Sequence, residues 1–327
     1  MALGAVPVRD AGGPHGPARG RTMSYRVFID GEAGTTGLEI REKLIGRKDI
    51  ALVSIDPSQR KDLGAKTALL ASVDVAVLCL PDDAARQTAK VVESLGANGP
   101  RLLDASTAHR IAPGWVYGFS ELCEGQGVAI AKARRVANPG CYATGAIALL
   151  RPAVDAGLIP ADYALAINAV SGYSGGGRQM IESYETHQAP LFEMYGLGLE
   201  HKHIPEIVHW SNLAARPVFV PSVGNFRQGM LVSIPLHLDA LPDRPAGRDF
   251  EEAYQRRYSG LANVSVVPAD TSGRIDALAL NHTNRLDLHV YANETRRQAL
   301  LVARLDNLGK GASGAAVQNL ELMLGLP

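Results

Sequence analysis

Residues 26–30, Arg-Val-Phe-Ile-Asp, run straight into Gly31-Glu32-Ala33-Gly34-Thr35-Thr36-Gly37, and Leu38, Ile40, Leu44 and Ile45 then recur at roughly helical spacing. A short apolar strand, a glycine turn and a helix in that order predict the opening unit of a nucleotide-binding sheet. Glycines in three-residue steps let backbone amides close on a pyrophosphate, and the helix N-terminus favours the anion. Gly31, Gly34, Thr35, Thr36 and Gly37 are therefore the candidate dinucleotide cradle. The spacing is G-x-x-G-x-x-G rather than the commoner G-x-G-x-x-G. No Gly-Lys-Ser/Thr follows, which excludes a nucleoside-triphosphate loop.

Outward from this turn, Ala51–Asp56 reads as a second strand and Leu63–Ser72 as a helical stretch. Asp74–Leu80 is continuously apolar, as a parallel strand buried on both faces should be. A helix over Ala84–Leu95 and a strand over Arg101–Ala105 follow. Alternating strands and helices predict an α/β fold, a Rossmann-type parallel sheet over residues 23–140. Past residue 155, Asp162–Ser171, Val218–Val223, Met230–Leu238, Asn263–Val267 and Asp287–Asn293 read as strands with fewer helices between them. Residues 141–309 thus form a second α+β domain, largely antiparallel. Arg296–Asp306 suits either a strand or a helix. Gly309–Leu326 reads as a glycine-rich turn opening a terminal amphipathic helix. The Gly-, Pro- and Arg-biased residues 1–22 read as a disordered leader, with Met23 as an alternative start.

Composition narrows the function. Lys plus Arg and Asp plus Glu both number 33, so no basic excess is present to hold nucleic acid or an acidic membrane surface. Three cysteines without paired spacing suit neither a disulfide framework nor a cysteine zinc site, and fit a reducing cytoplasm. No apolar run approaches the ~18 residues of a membrane helix.

Asn138-Pro139-Gly140-Cys141-Tyr142-Ala143-Thr144 carries the strongest chemical signal. A strand end, a Pro-Gly turn and a following helix put Cys141 at a helix N-terminus. There the dipole lowers a thiol's pKa and free amides can hold an oxyanion. Cys79, inside an apolar strand, and Cys123, in a loop, lack that placement. His201-Lys202-His203-Ile204-Pro205-Glu206 offers two imidazoles and a carboxylate as proton-transfer partners. Their spacing, with His209, does not match common zinc patterns, so no metal is expected. Ser171-Gly172-Tyr173-Ser174-Gly175-Gly176-Gly177-Arg178 suits either packing around a small anion or a plain surface loop. Asp104–Arg110 lies just past a parallel strand's carboxyl end, where such sheets bind ligands, and Arg110 can grip a phosphate with two N–H groups. For the cofactor, Asp56 suits the ribose hydroxyl of NAD, whereas Ser58, Arg60 and Lys61 suit the phosphate of NADP. The residues leave that choice open.

Taken together, GEAGTTGLEIREKL, SIDPSQRKD, LCLPDDAAR, DASTAHR, APGWVYGF, NPGCYATGAIALLRP, INAVSGYSGGGR and HKHIPEI resemble the shorter form of the N-acetyl-γ-glutamyl-phosphate reductase family. The likeness runs from about Met23 to the C-terminus. It implies NADPH as cofactor, an acyl phosphate as substrate, arginine biosynthesis, and a homodimer or homotetramer. It also implies that the terminal helix folds back onto the nucleotide domain. Carried over, Cys141 is the nucleophile and the base is His201 or His203. His203 is preferred because Glu206, within a turn of it, can orient it. Ser106 and Arg110 match the phosphate-binding stretch and Asn319 the position facing the nicotinamide amide; NADPH makes Asp56 a non-ligand and Arg60 the phosphate partner, and Ser54 stands as a further cofactor contact. Ser171, Gly172 and Arg178 stand as substrate contacts. Rival readings are a sibling reductase of aspartyl phosphate or an N-acetyl-aminoadipyl analogue, and a non-catalytic NADP(H) sensor.

Overall fold

The computed structural model describes residues 24–60 and 62–327, so the expected leader, Met23 and Lys61 lie outside the described residues. The first sheet contains β1 (Tyr25–Asp30), β2 (Ile50–Val53), β3 (Val75–Leu78), β4 (Arg101–Asp104), β5 (Val116–Tyr117) and β6 (Arg135–Ala137). Its order is β2-β1-β3-β4-β6-β5, and every pairing is parallel. Helices α1 (Thr35–Leu44), α2 (Leu63–Leu70), α3 (Asp82–Ser94) and α4 (Gln126–Lys132) connect and flank it. Alternate strand residues point to opposite faces. Val27, Ile29, Val75 and Val77 join one core cluster, and Phe28, Ala76 and Leu78 join the other. Helices on both faces therefore force the strands to be apolar throughout.

Gly31 closes β1 with φ +93°, and a Cβ there would overlap the Cys79 carbonyl oxygen at the end of β3. Only glycine meets both conditions. Gly37 packs equally closely, since a Cβ on it would overlap the Gly31 carbonyl oxygen. The glycine spacing is thus a packing requirement where α1 leaves the sheet.

Helix α5 (Cys141–Asp155) leads into the second sheet, and its residues from Tyr142 to Leu150 are all buried. That sheet holds β7 (Ala166–Gly172), β8 (Phe192–Met194), β9 (Val218–Gly224), β10 (Met230–His237), β11 (Val264–Val266), β12 (Leu286–Asn293) and β13 (Gln298–Leu305). The order is β11-β12-β13-β10-β7-β9-β8, antiparallel except for β7 with β9 and β11 with β12. Residues 296–306, ambiguous in sequence, become a strand because β10 and β12 bracket them with ladders along the whole of β13. Helices α6 (Gly177–Glu185), α7 (Ile204–Trp210) and α8 (Gly247–Tyr258) lie in the connections.

After β13 the chain makes a π-helical turn, Gly309–Ser313, and enters α9 (Gly314–Leu324). This last helix returns to the first sheet, where Ala316, Leu320 and Met323 pack with Val27, Ile29, Val75 and Leu103. Arg47 pairs with Glu321, and Arg101 donates to the Met323 carbonyl. Lys310, on the turn, is buried and paired with Glu121 at 2.8 Å.

Gly31→Ala should lower the thermal unfolding midpoint by about 5 °C or more, from positive-φ strain and overlap with the Cys79 carbonyl. An unchanged midpoint in a thermal scan would mean that the turn relaxes freely.

Candidate active site

Two adjoining cavities meet where the sheets join. One, about 450 Å³, lies over the glycine turn and is lined by Gly34, Thr35, Thr36, Gly37, Ala105 and Arg178, among others. The other, about 170 Å³, surrounds Cys141, His201, Lys202 and His203. Thr35, Thr36, Ala105 and Gly177 line both, so they form one cleft.

Cys141 is the first residue of α5, with Gly140 as the extended N-cap and no side chain capping the helix. Its free N-terminal amides therefore stay available at the cleft. A Cβ on Gly140 would overlap both His203 Nε2 and the Arg110 guanidinium. The missing side chain lets a base and a cation close on the residue before Cys141. From the other side Gly311 approaches, where an added Cβ would stand 2.9 Å from Cys141 Cβ.

The expectation of a low thiol pKa is not met in this chain. Burial pushes the Cys141 thiol up; the Tyr142 N–H, Arg110 and Lys202 pull it down, and Glu206 opposes them. Burial is the largest of these effects. Cys79, deeper in the first domain, is pushed up to about 12 by burial. Two imidazoles share the cavity with the Cys141 thiol. Burial, then Lys202 and Arg110, lower His201 to about 4. Burial, Arg110, His201 and Lys202 hold His203 well below its ordinary value. Both imidazoles are neutral at pH 7. His203 is buried and its Nδ1 has no hydrogen-bond partner, while its backbone N–H donates to His201 Nδ1 at 3.1 Å.

Glu206 makes no hydrogen bond to His203, contrary to the sequence expectation. It is 1% exposed, and it faces the other way because three donors converge there. Tyr117 Oη and the Gly140 N–H donate to its Oε1 at 2.7 and 2.8 Å, and Arg110 Nη1 donates to its Oε2 at 2.9 Å. Arg110 also donates through Nε to the Asn138 carbonyl at 3.1 Å. Its fork is thus partly engaged by protein, although the guanidinium still lines the cavity.

Other expected residues fall elsewhere. Ser106 does not line either cavity, because Asp104 takes both its N–H and its hydroxyl at 2.9 and 2.8 Å. His109 completes that cluster, with Nδ1 2.6 Å from the same carboxylate. Ser171 and Gly172 end β7 inside the protein, where a Cβ on Gly172 would meet the Arg227 carbonyl. Ser174 and Gly175, just beyond them, reach the cavity instead. Arg178 belongs to the glycine-turn cavity, donating to the Ala33 carbonyl at 2.8 Å. Asn319 is 1% exposed and donates to Gly118 O and Asn138 Oδ1, leaving its own Oδ1 without a partner. Ser54 donates to Glu32 at 2.9 Å, and Arg60 lies 3.6 Å from the same carboxylate. Arg41 joins them at 3.0 Å from Glu32. Sequence reading missed Arg41, although helical spacing from the glycine turn pointed to it. Asp56 instead caps a short 3₁₀ turn, accepting from Ser58 N–H and hydroxyl. Among the described residues, no cluster of three or more His, Cys, Asp or Glu side chains is placed to hold a metal, and no helix is long and apolar enough to cross a membrane.

The two depressed histidines set a pH dependence. Protons are disfavoured on the folded chain, so stability should fall as pH drops below about 6.5 towards 4. Melting curves across that range should show the decline, and His201→Gln with His203→Gln should flatten part of it. An identical slope in the double variant would place the acid sensitivity elsewhere.

Comparison with known proteins is consistent with this geometry. The family described as semialdehyde dehydrogenase, dimerisation domain, matches residues 141–307. An N-acetyl-γ-glutamyl-phosphate reductase of Chelativorans sp. (strain BNC1) is 51% identical over 309 residues, 92% of this chain and 99% of its own length. One from Brucella ovis is 49% identical over 311 residues, 93% of this chain and 100% of its own. Among solved structures, aspartate semialdehyde dehydrogenase II of Vibrio cholerae superposes with a TM-score of 0.69 at 15% identity. That match covers 93% of this chain and 99% of the other, and it shows the fold.

Proposed function

The chain belongs to the N-acetyl-γ-glutamyl-phosphate reductase family, and on that premise we propose that it reduces N-acetyl-γ-glutamyl phosphate to the 5-semialdehyde with NADPH, through a thioester on Cys141. This is a step of arginine biosynthesis, carried out in the cytoplasm by a homodimer or homotetramer. The observation that carries the reading is the convergence on Gly140, where a neutral imidazole and a guanidinium flank the residue before a helix-starting cysteine. A sensor of NADP(H) needs neither group there. Relatives at about half identity favour this substrate over aspartyl phosphate.

The residues over the first cavity fit a dinucleotide. Gly31 and Gly37 admit no side chain, Gly34 leaves α1 without a side-chain cap, and Arg178 adds a cation beside those free amides. Gly34, Thr35 and Thr36 with Arg178 would hold the pyrophosphate. Arg60 and Arg41 would hold the 2′-phosphate, with Ser54 beside them. When bound, the cofactor supplies hydride to the acyl carbon.

His203 Nε2 takes the thiol proton and Cys141 Sγ attacks the acyl carbonyl, forming the C–S bond. The free amides at the start of α5 hold the resulting oxyanion. As it collapses, the C–O bond to phosphate breaks beside Arg110, and His203 passes its proton to the leaving oxygen. After reduction, a solvent proton delivered through His203 neutralises the second oxyanion. His203 then withdraws that proton, the C–S bond breaks, the aldehyde leaves, and the proton returns to sulfur. One proton is consumed per turnover.

Phosphate-dependent NADP⁺ reduction with N-acetylglutamate semialdehyde, set beside aspartate semialdehyde, tests the substrate. Comparable rates on both would sink the assignment. Cys141→Ser should keep cofactor binding while turnover falls on the order of 10³-fold or more. Near-normal reduction by that variant would exclude covalent catalysis. Arg60→Ala should raise the KM for NADPH about tenfold while leaving that for NADH nearly unchanged, as loss of a charge-assisted hydrogen bond implies. Equal effects on both cofactors would refute the phosphate contact.

A further inference from the structure

The cavity around Cys141 holds two cations in unlike settings. Arg110 is buried and matched by the Glu206 carboxylate at 2.9 Å. Lys202, between the two histidines, is exposed at the cavity wall. The nearby Glu200 is taken by Arg216 at 2.8 Å, and among the described residues no carboxylate pairs with Lys202. Its charge nevertheless reaches Cys141, His201 and His203. An ammonium that no protein anion neutralises, at the wall of a reaction cavity, suits an anionic ligand.

Resting on the reading of this site given above, we infer that Lys202 binds the α-carboxylate of the substrate and so selects acyl phosphates that carry one. The reacting carbon sits on Cys141 Sγ, and the phosphate is bonded to that carbon. Its cation must therefore adjoin Cys141, as Arg110 does across Gly140. The α-carboxylate lies several bonds further along the chain. Hydride has to approach from the side shared with the glycine-turn cavity, lined by Thr35, Thr36 and Ala105. The acyl chain accordingly runs the other way, towards Tyr195, His201 and Lys202. Lys202 is the cation met there. Its long flexible stem suits a point-charge contact rather than a fixed fork.

The test compares N-acetylglutamate semialdehyde with 4-acetamidobutanal, the same chain without its carboxylate. Lys202→Met should raise the KM for the first about 10- to 100-fold, as loss of a hydrogen bond to a charged group does. It should affect the second aldehyde far less, through the lost charge on Cys141 and the histidines alone, and leave the KM for phosphate unchanged, and Lys202→Arg should restore most of the loss. Equal losses on both aldehydes would mean that Lys202 acts only through the field on Cys141 and the histidines. A raised phosphate KM would make it a phosphate ligand, and either result overturns the inference. Alkylation of Cys141 by reagents of the substrate's chain length gives an arm independent of turnover. Lys202→Met should slow 5-iodopentanoate, whose carboxylate lies four bonds from the reacting carbon, more than neutral 5-iodopentanamide, and equal slowing refutes the role. If the wild type leaves N-acetylglutamate semialdehyde untouched, the proposed reaction fails, and the alkylation pair still decides Lys202.

Discussion

Glu206 sits almost without solvent contact at the junction of the two sheets, and three donors from separate parts of the chain end on it. A carboxylate taken from water into protein is costly unless its oxygens are paired. Here both are, by a phenol, a guanidinium and a backbone N–H. Removing one partner of such a buried pair typically costs about 3–5 kcal/mol. The arrangement therefore holds as a unit, fixing the loop after β4, the turn before Cys141 and the start of α7 relative to one another. Trp210 adds to it, stacking on Tyr117 at 4.6 Å and donating to the Arg110 carbonyl at 2.8 Å. The position of Cys141 relative to Arg110 and His203 follows from this anchor.

That anchor also explains what the amino-acid sequence did and did not disclose. Strand–turn–helix order, the fully apolar β3 and the alternation past residue 155 are local signals, so the two-sheet architecture was legible. Cys141 stood out because Pro139-Gly140 and the following apolar run mark a helix start. Glu206 was visible as a residue yet its partner was not. Sequence proximity favoured His203, whereas the carboxylate faces Tyr117, 89 residues away, and Arg110, 96 residues away. Ser106 was misplaced for a similar reason, since Asp104 two residues earlier captures its hydroxyl. Local competition of this kind has no signature in spacing.

The electrostatics of the cleft were the least legible part. A helix N-terminus argued for a readily ionised thiol, whereas burial pushes that thiol up and also keeps both imidazoles neutral. Burial depends on what the whole chain places around a group, which no window of residues contains. The consequence is chemical. In the resting chain an uncharged thiol and two neutral imidazoles line one cavity.

Helix α9 supplies part of the first sheet's core although β7–β13 intervene in the chain between the two. Arg47 and Glu321, its ion-paired ends, are 274 residues apart. During synthesis the half that carries the first sheet therefore emerges first but cannot finish its core until the second half has been made. Ile40, Leu44 and Ile130 cover part of the face with Val27, Ile29 and Val75 early, but the part that Ala316, Leu320 and Met323 fill stays open until the end of translation. Vectorial folding of this chain thus closes in a circle, with the earliest strands waiting for a late helix, and the interval between them is its period of exposure to aggregation.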